Sequence, residues 1–321
     1  MALLVGDCGA YDRLRTPAPH ESAMTTSMRQ PCRQNSSDRI PLARPPPATR
    51  TAPPPLTRPW RRLGCGRNIS ASHTGELMAG HWTTLGEPDG IEAYVHHPED
   101  GEVRGAVVVC SELYGVNTYV RDTCAELAAA GYVAIAPDYY WRNARRTELG
   151  YTAEERESGL VLMRALDRDE LVADAAAALA AARAEAGGRG VAFIGLSMGG
   201  HIAVRAATEL RFELAAVFYP GWLLNSGFPL VGPVPPLETS ERIAANGVFL
   251  LGFRGELDHI IPAEEWEQAG QRLTEAKVAH DLVTYPAANH GFACSDRPAD
   301  YDPEAGADAW RRVYAALQTY L

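Results

Sequence analysis

The sequence predicts an α/β domain, a mostly parallel sheet with helices on both faces. Three observations carry this expectation. Short, wholly apolar runs such as Ala106 to Cys110 and Val191 to Leu196 read as strands covered on both sides. Helical stretches of ten or more residues separate such runs. The alternation holds without internal repeats from about residue 81 to the end, so residues 80–321 are assigned to one domain.

Taken in order, Ile91 to His96 alternates apolar and polar side chains, as a half-buried strand does. Ala106 to Cys110 is the first buried strand. Tyr119 to Ala130 reads as a helix with Val120 and Leu127 inward, stopped by Gly131. Tyr132 to Ala136 is a buried strand ended by Pro137-Asp138, and a long helix runs from Arg168 to Glu185, closed by Gly187-Gly188. Val191 to Leu196 is a strand and Met198 to Leu210 a helix. Leu214 to Tyr219, Val248 to Phe253 and Asp281 to Tyr285 complete the strands, and Glu264 to Val278 and Ala305 to Leu321 the helices. Two stretches interrupt this order: the charged, Arg-rich Tyr140 to Gly159, and the Gly/Pro-rich Asn225 to Pro236. Each follows a strand end, where open parallel sheets bind ligands, so each is either a pocket rim or an inert loop.

Composition narrows the class. Of 321 residues, 46% are hydrophobic and 22% charged, enough apolar material for a sizeable core. No apolar run reaches the length of a membrane span, so no membrane partner is expected. The net charge of −10 argues against a nucleic-acid partner, which needs a basic footprint. The charge is unevenly spread. Residues 1–79 carry eleven arginines against five acids, a net of +6, and 11 of the 23 prolines lie between Pro17 and Pro59. Such a segment cannot bury enough apolar surface to offset its ordering entropy, so residues 1–79 are expected to be a disordered tail. Its purpose stays open between a transit segment, a polyproline interaction element and a misassigned start before Met78. The six cysteines show no paired spacing, and Cys110 and Cys124 read as core thiols, which makes a reducing, cytoplasmic setting the default. No His/Cys/Asp cluster has metal-ligand spacing, so neither metal nor cofactor is expected.

The chemistry concentrates in Gly195-Leu196-Ser197-Met198-Gly199, placed directly after a buried strand and before a helix. In such a turn the central residue is strained and small residues must flank it, so that its side chain stands clear at the end of the sheet. Ser197 is thereby the candidate nucleophile. Its base must follow it in the chain, after an acid. Of the four later histidines, His201 lies inside the next helix, where it packs or faces solvent, His259 is a loop residue and His280 opens a strand. His290, in a loop after the last strand, is the candidate base. Asp258, after the strand Val248 to Phe253, is the candidate acid, with a helix cap as its alternative role and Glu256 as a weaker substitute. The loop Ser111 to Asn117 and the residue after the nucleophile supply oxyanion donors in this arrangement, which assigns the N–H groups of Leu113 and Met198.

Together these residues resemble the dienelactone hydrolase family of α/β hydrolases over roughly residues 82–321. Glu112-Leu113-Tyr114-Gly115-Val116-Asn117, Pro137-Asp138-Tyr139-Tyr140-Trp141-Arg142, the Ser197 motif, Asp258 and His290-Gly291-Phe292 carry the resemblance. It implies an α/β-hydrolase fold, a role for Glu112 in activating the nucleophile, and Arg142 as a ligand for a substrate carboxylate. Two departures stand out. Well-studied members of the family use Cys where this chain has Ser197. They also carry a second substrate-binding Arg four residues after the catalytic His, where this chain has Cys294, with Arg297 three residues further on. The expected function is hydrolysis of a small carboxylic ester or lactone through a Ser-His-Asp triad and an acyl-enzyme. A peptidase or acyltransferase on the same fold, or a non-catalytic binding protein, are the alternatives. The oligomeric state is not legible in the sequence.

Overall fold

A computed structural model describes residues 80–321 except 87, 88 and 100; the expected disordered tail, residues 1–79, lies outside the described residues. Eight strands form one sheet in the order β1-β2-β4-β3-β5-β6-β7-β8. They are β1 His81–Thr84, β2 Glu92–His96, β3 Gly105–Cys110, β4 Tyr132–Pro137, β5 Val191–Leu196, β6 Leu214–Phe218, β7 Phe249–Gly255 and β8 His280–Tyr285. The pairs β1·β2 and β2·β4 are antiparallel; every pair from β4 onward is parallel. This is the α/β-hydrolase arrangement expected from the sequence.

The all-buried strands divide their side chains between two cores, because successive residues of a strand point to opposite faces. From β3, Ala106, Val108 and Cys110 join Leu171, Leu179 and Ile202 on one side. Val107 and Val109 join Val120, Leu127, Val313 and Leu317 on the other. Each buried Val contributes roughly 1.5 to 3 kcal/mol. The covering helices are α1 Thr118–Ala129, α3 Arg168–Glu185, α4 Met198–Glu209, α6 Ala263–Glu275 and α7 Pro303–Tyr320. Local chemistry sets their ends. The Asp167 carboxylate accepts from the backbone of Asp169 and Glu170 at the start of α3, and Asp302 does the same for α7, where Pro303 follows. Gly131 and Gly187, at φ 94° and 60°, turn the chain out of α1 and α3.

Four elements are not legible in the sequence: β1, the 3-10 turn Pro236–Thr239, the short helix α5 Ser240–Asn246, and α2 Ala153–Arg164. The last falls partly in the stretch read as a charged interruption. It forms because Thr152 and Glu155 make a reciprocal capping box, while only Gly159 and Met163 are buried on it. Among the described residues no helix is long and apolar enough to cross a membrane.

Candidate active site

The turn between β5 and α4 holds Ser197 at φ 52°, ψ −110°, a region costly to any residue with a side chain. What enforces it is close backbone approach. A Cβ on Gly195 would lie 2.3 Å from the Gly199 carbonyl oxygen, and a Cβ on Gly199 would lie 2.0 Å from that of Cys110. Only hydrogen fits at either position, and the second contact seats the nucleophile turn directly against the end of β3. The Met198 N–H, at the first helical position of α4, has no partner within the helix.

Ser197, His290 and Asp258 are joined as the sequence leads one to expect. Ser197 Oγ is 2.8 Å from His290 Nε2, and His290 Nδ1 is 2.8 Å from Asp258 Oδ2. The other Asp258 oxygen accepts the N–H groups of Ile260 and Ile261, so one carboxylate organises its own turn and orients the imidazole. It caps no helix: Pro262 stands at the N-cap of α6. The His290 ring packs 4.9 Å from that of Tyr219, itself held at φ 40° after β6. Of the three chain members Ser197 is the most accessible, at 8% exposure against 4% for each of the others. The other histidines are placed elsewhere. His201 is fully buried in α4, His259 lies in the turn before α6, and His280 opens β8.

Beside this chain lies a second polar cluster. Glu112, which follows β3, is 3% exposed, and among the described residues neither carboxylate oxygen has a hydrogen-bond partner. Its counter-charge is Arg297, 3.7 Å away. Arg297 also pairs with Asp300 at 2.6 Å, and its guanidinium lies where a Cβ of Gly291, next to His290, would be. Burial works against the charge on Arg297, but Glu112, Tyr114 and Asp300 outweigh it and hold the group above its ordinary pKa. Burial, followed by the Glu112 charge, pushes the Tyr219 hydroxyl well up and the Cys294 thiol to about 12. Tyr219 and Cys294 are therefore neutral neighbours of Glu112.

Arg142 stands differently from the expectation. Its guanidinium makes a two-pronged pair with Asp174 on α3, at 2.6 and 3.0 Å, approaches Glu170 at 3.6 Å and stacks 4.4 Å over Trp141. Asp174 is buried, so Arg142 neutralises a carboxylate of the fold. Sequence reasoning noted Arg297 only as an offset arginine; its proximity to Glu112 follows from the turns of the chain after His290, which spacing alone does not reveal. The stretch Tyr140 to Gly159 is tied down rather than free. Leu149 N–H donates to Tyr114 O, and Asn117 Nδ2 donates to Leu149 O, tying it to the loop after β3. A cavity of about 320 Å³ opens between the two, lined by Asn117, Tyr151 and Asp296 among others. A larger open groove of about 710 Å³ runs along α6 and β8 and shares no residue with the Ser197 chain.

A strained serine at a strand-to-helix turn, bonded through histidine to a carboxylate on this sheet, defines a serine hydrolase of the α/β-hydrolase fold. The chain belongs to the dienelactone hydrolase family, whose pattern matches residues 91–321. A candidate carboxymethylenebutenolidase of Synechocystis sp. is 36% identical over 236 residues, 72% of this chain and 92% of that protein. The carboxymethylenebutenolidase of Pseudomonas sp. strain P51 is 32% identical over 232 residues, 70% of this chain and 89% of that protein. Among solved structures, a candidate dienelactone hydrolase from Klebsiella pneumoniae superposes with a TM-score of 0.65 at 26% identity, covering 75% of this chain and 98% of that one. The protein is a hydrolase acting on ester or lactone bonds.

Proposed function

We propose that the protein cleaves a small carboxylic ester or lactone with Ser197 as nucleophile, His290 as general base and Asp258 as the group that orients it. The observation that carries this reading is the unbroken pair of 2.8 Å contacts from Ser197 through His290 to Asp258. As Ser197 Oγ bonds to the acyl carbon, its proton passes to His290 Nε2. The carbonyl oxygen takes up the electron pair between the Leu113 and Met198 N–H groups. When the tetrahedral intermediate collapses, the ester C–O bond breaks and His290 returns the proton to the departing oxygen. Water then attacks the acyl-enzyme by the same route and regenerates Ser197.

With a serine and an adjacent histidine, the base is already in contact with the nucleophile. Glu112 is accordingly assigned to holding Arg297. Both arginines are paired with carboxylates, Arg297 with Glu112 and Asp300 and Arg142 with Asp174; Arg297 is the one packed against Gly291, next to His290, and is the anchor assigned to a substrate carboxylate. Buried free thiols at Cys110, Cys124 and Cys294 support a reducing, cytoplasmic setting.

The test compares specificity constants for dienelactone and for a neutral short-chain ester in the wild type, Arg297→Ala and Arg142→Ala. Preference for dienelactone that collapses in Arg297→Ala and survives in Arg142→Ala supports the reading. Turnover of the neutral ester alone makes the protein a general esterase, and no turnover of either removes the proposal.

A further inference from the structure

The loop after β4 reaches both assigned oxyanion donors through one side chain. Tyr140 is 1% exposed; its hydroxyl donates to Leu113 O at 3.0 Å and lies 3.4 Å from Met198 Sδ. A hydroxyl has one proton, and a carbonyl is a far better acceptor than a thioether, so the proton belongs to Leu113. Burial, with a smaller contribution from Asp138, keeps the phenol neutral.

Leu113 sits in a turn closed by the Gly115 N–H on Glu112 O at 3.3 Å. Its carbonyl is confined from the other side too: a Cβ on Gly159 of α2 would lie 2.7 Å from it. The Leu113 N–H shares its peptide plane with Glu112 O, held by Gly115, and the next plane carries Leu113 O, held by Tyr140, so the two bonds together fix the turn that aims the donor. The phenol is itself anchored, because Asp138 accepts the N–H groups of Tyr140 at 3.1 Å and Arg146 at 2.5 Å. Asp138 therefore holds the loop, and the loop holds Tyr140.

We infer that Tyr140 is a positioning residue of the oxyanion hole, holding the peptide that follows the Leu113 donor and the Met198 side chain so that both N–H groups converge before substrate arrives. The inference rests on Ser197 as nucleophile and on Leu113 and Met198 as donors. Donors aimed in advance stabilise the transition state more than the ground state, so loosening them lowers kcat and leaves KM nearly in place.

The experiment measures kcat, KM and affinity for a phenylboronic acid, whose adduct on Ser197 places an oxygen in the hole, in Tyr140→Phe. The expected result is a fall in kcat of about tenfold, a matching loss of boronate affinity and a KM within about twofold of wild type. Gly159→Ala, whose Cβ would lie 2.1 Å from the Leu113 side chain and 2.7 Å from its carbonyl oxygen, is a second variant with the same expected signature. Tyr139→Phe is the control: it removes a neighbouring buried hydroxyl that meets Cys110 Sγ at 3.3 Å, away from the hole. Unchanged kcat and boronate affinity in Tyr140→Phe overturn the inference, as does an equal loss in Tyr139→Phe. Turnover that survives Ser197→Ala removes the underlying reading, and this inference with it. A normal Ser197 requirement combined with an indifferent Tyr140→Phe removes this inference alone.

Discussion

Glu112 and Arg297 stand 3.7 Å apart, and among the described residues neither oxygen of the carboxylate accepts a hydrogen bond. A buried charge with a single counter-charge is stable only while that counter-charge is there. Arg297→Gln should therefore destabilise the fold by about 3 kcal/mol, seen as a melting temperature lower by several degrees. Adding Glu112→Gln should recover most of that loss. Thermal unfolding of the two single variants and the double variant checks it; additive losses would show that the pair is uncoupled.

Ser197→Ala should lower ester turnover by roughly 10⁴-fold or more while the melting temperature stays within a few degrees. The effects of Ser197→Ala and His290→Ala should not add, because the two groups act as one unit. Activity of the double variant equal to that of either single one is the expected outcome.

Gly199 tests the backbone packing behind the nucleophile. With a Cβ only 2.0 Å from the Cys110 carbonyl oxygen, Gly199→Ala must push β3 and the nucleophile turn apart. Turnover should fall at least tenfold, and much of the protein should be lost to misfolding. Expression yield and kcat of the soluble fraction report the two consequences separately.

His201 supplies a pH dependence of stability. Buried against the backbone of Gly221, Trp222 and Leu230, its imidazole has its pKa pushed down from 6.5 to about 4, by burial first and by Arg205 second. The unfolded chain binds a proton as pH falls through 6.5, and the native state declines it until about 4. Stability from this group is thus present above pH 6.5 and is lost, by about 3 kcal/mol, as pH drops to 4. The His201→Gln variant should show a correspondingly shallower decline over that window. Parallel curves for the two proteins would refute the assignment.

The serine turn, the acid and the base were legible because each depends on a short-range pattern. Ser197 needs small neighbours on a strand-to-helix turn, and Asp258 and His290 need only to follow strands in the right order. The buried strands were legible for a similar reason, since four or more apolar residues bounded by turn signals admit few readings. Arg142 shows where pattern stops. Its position after β4 matched the expectation, but its partner, Asp174, lies on a helix and is found only once the chain is folded. Arg297 and Tyr140 illustrate the same limit: each meets its partner across the ends of different strands. Helix α2 was missed because a capping box nucleates it while little of its surface is apolar.

The residues gathered around Ser197 are remote along the chain. His290 lies 93 positions after Ser197, Asp258 lies 32 before His290, and Glu112 comes from the opposite side of the serine in sequence. These separations are closed only when β3, β5, β6, β7 and β8 are in register, and long-range pairings of this kind form slowly. During refolding, secondary structure should therefore return well before catalysis. The regain of ester turnover then serves as a clock for the docking of β8, the last strand in the chain and the one that brings the histidine.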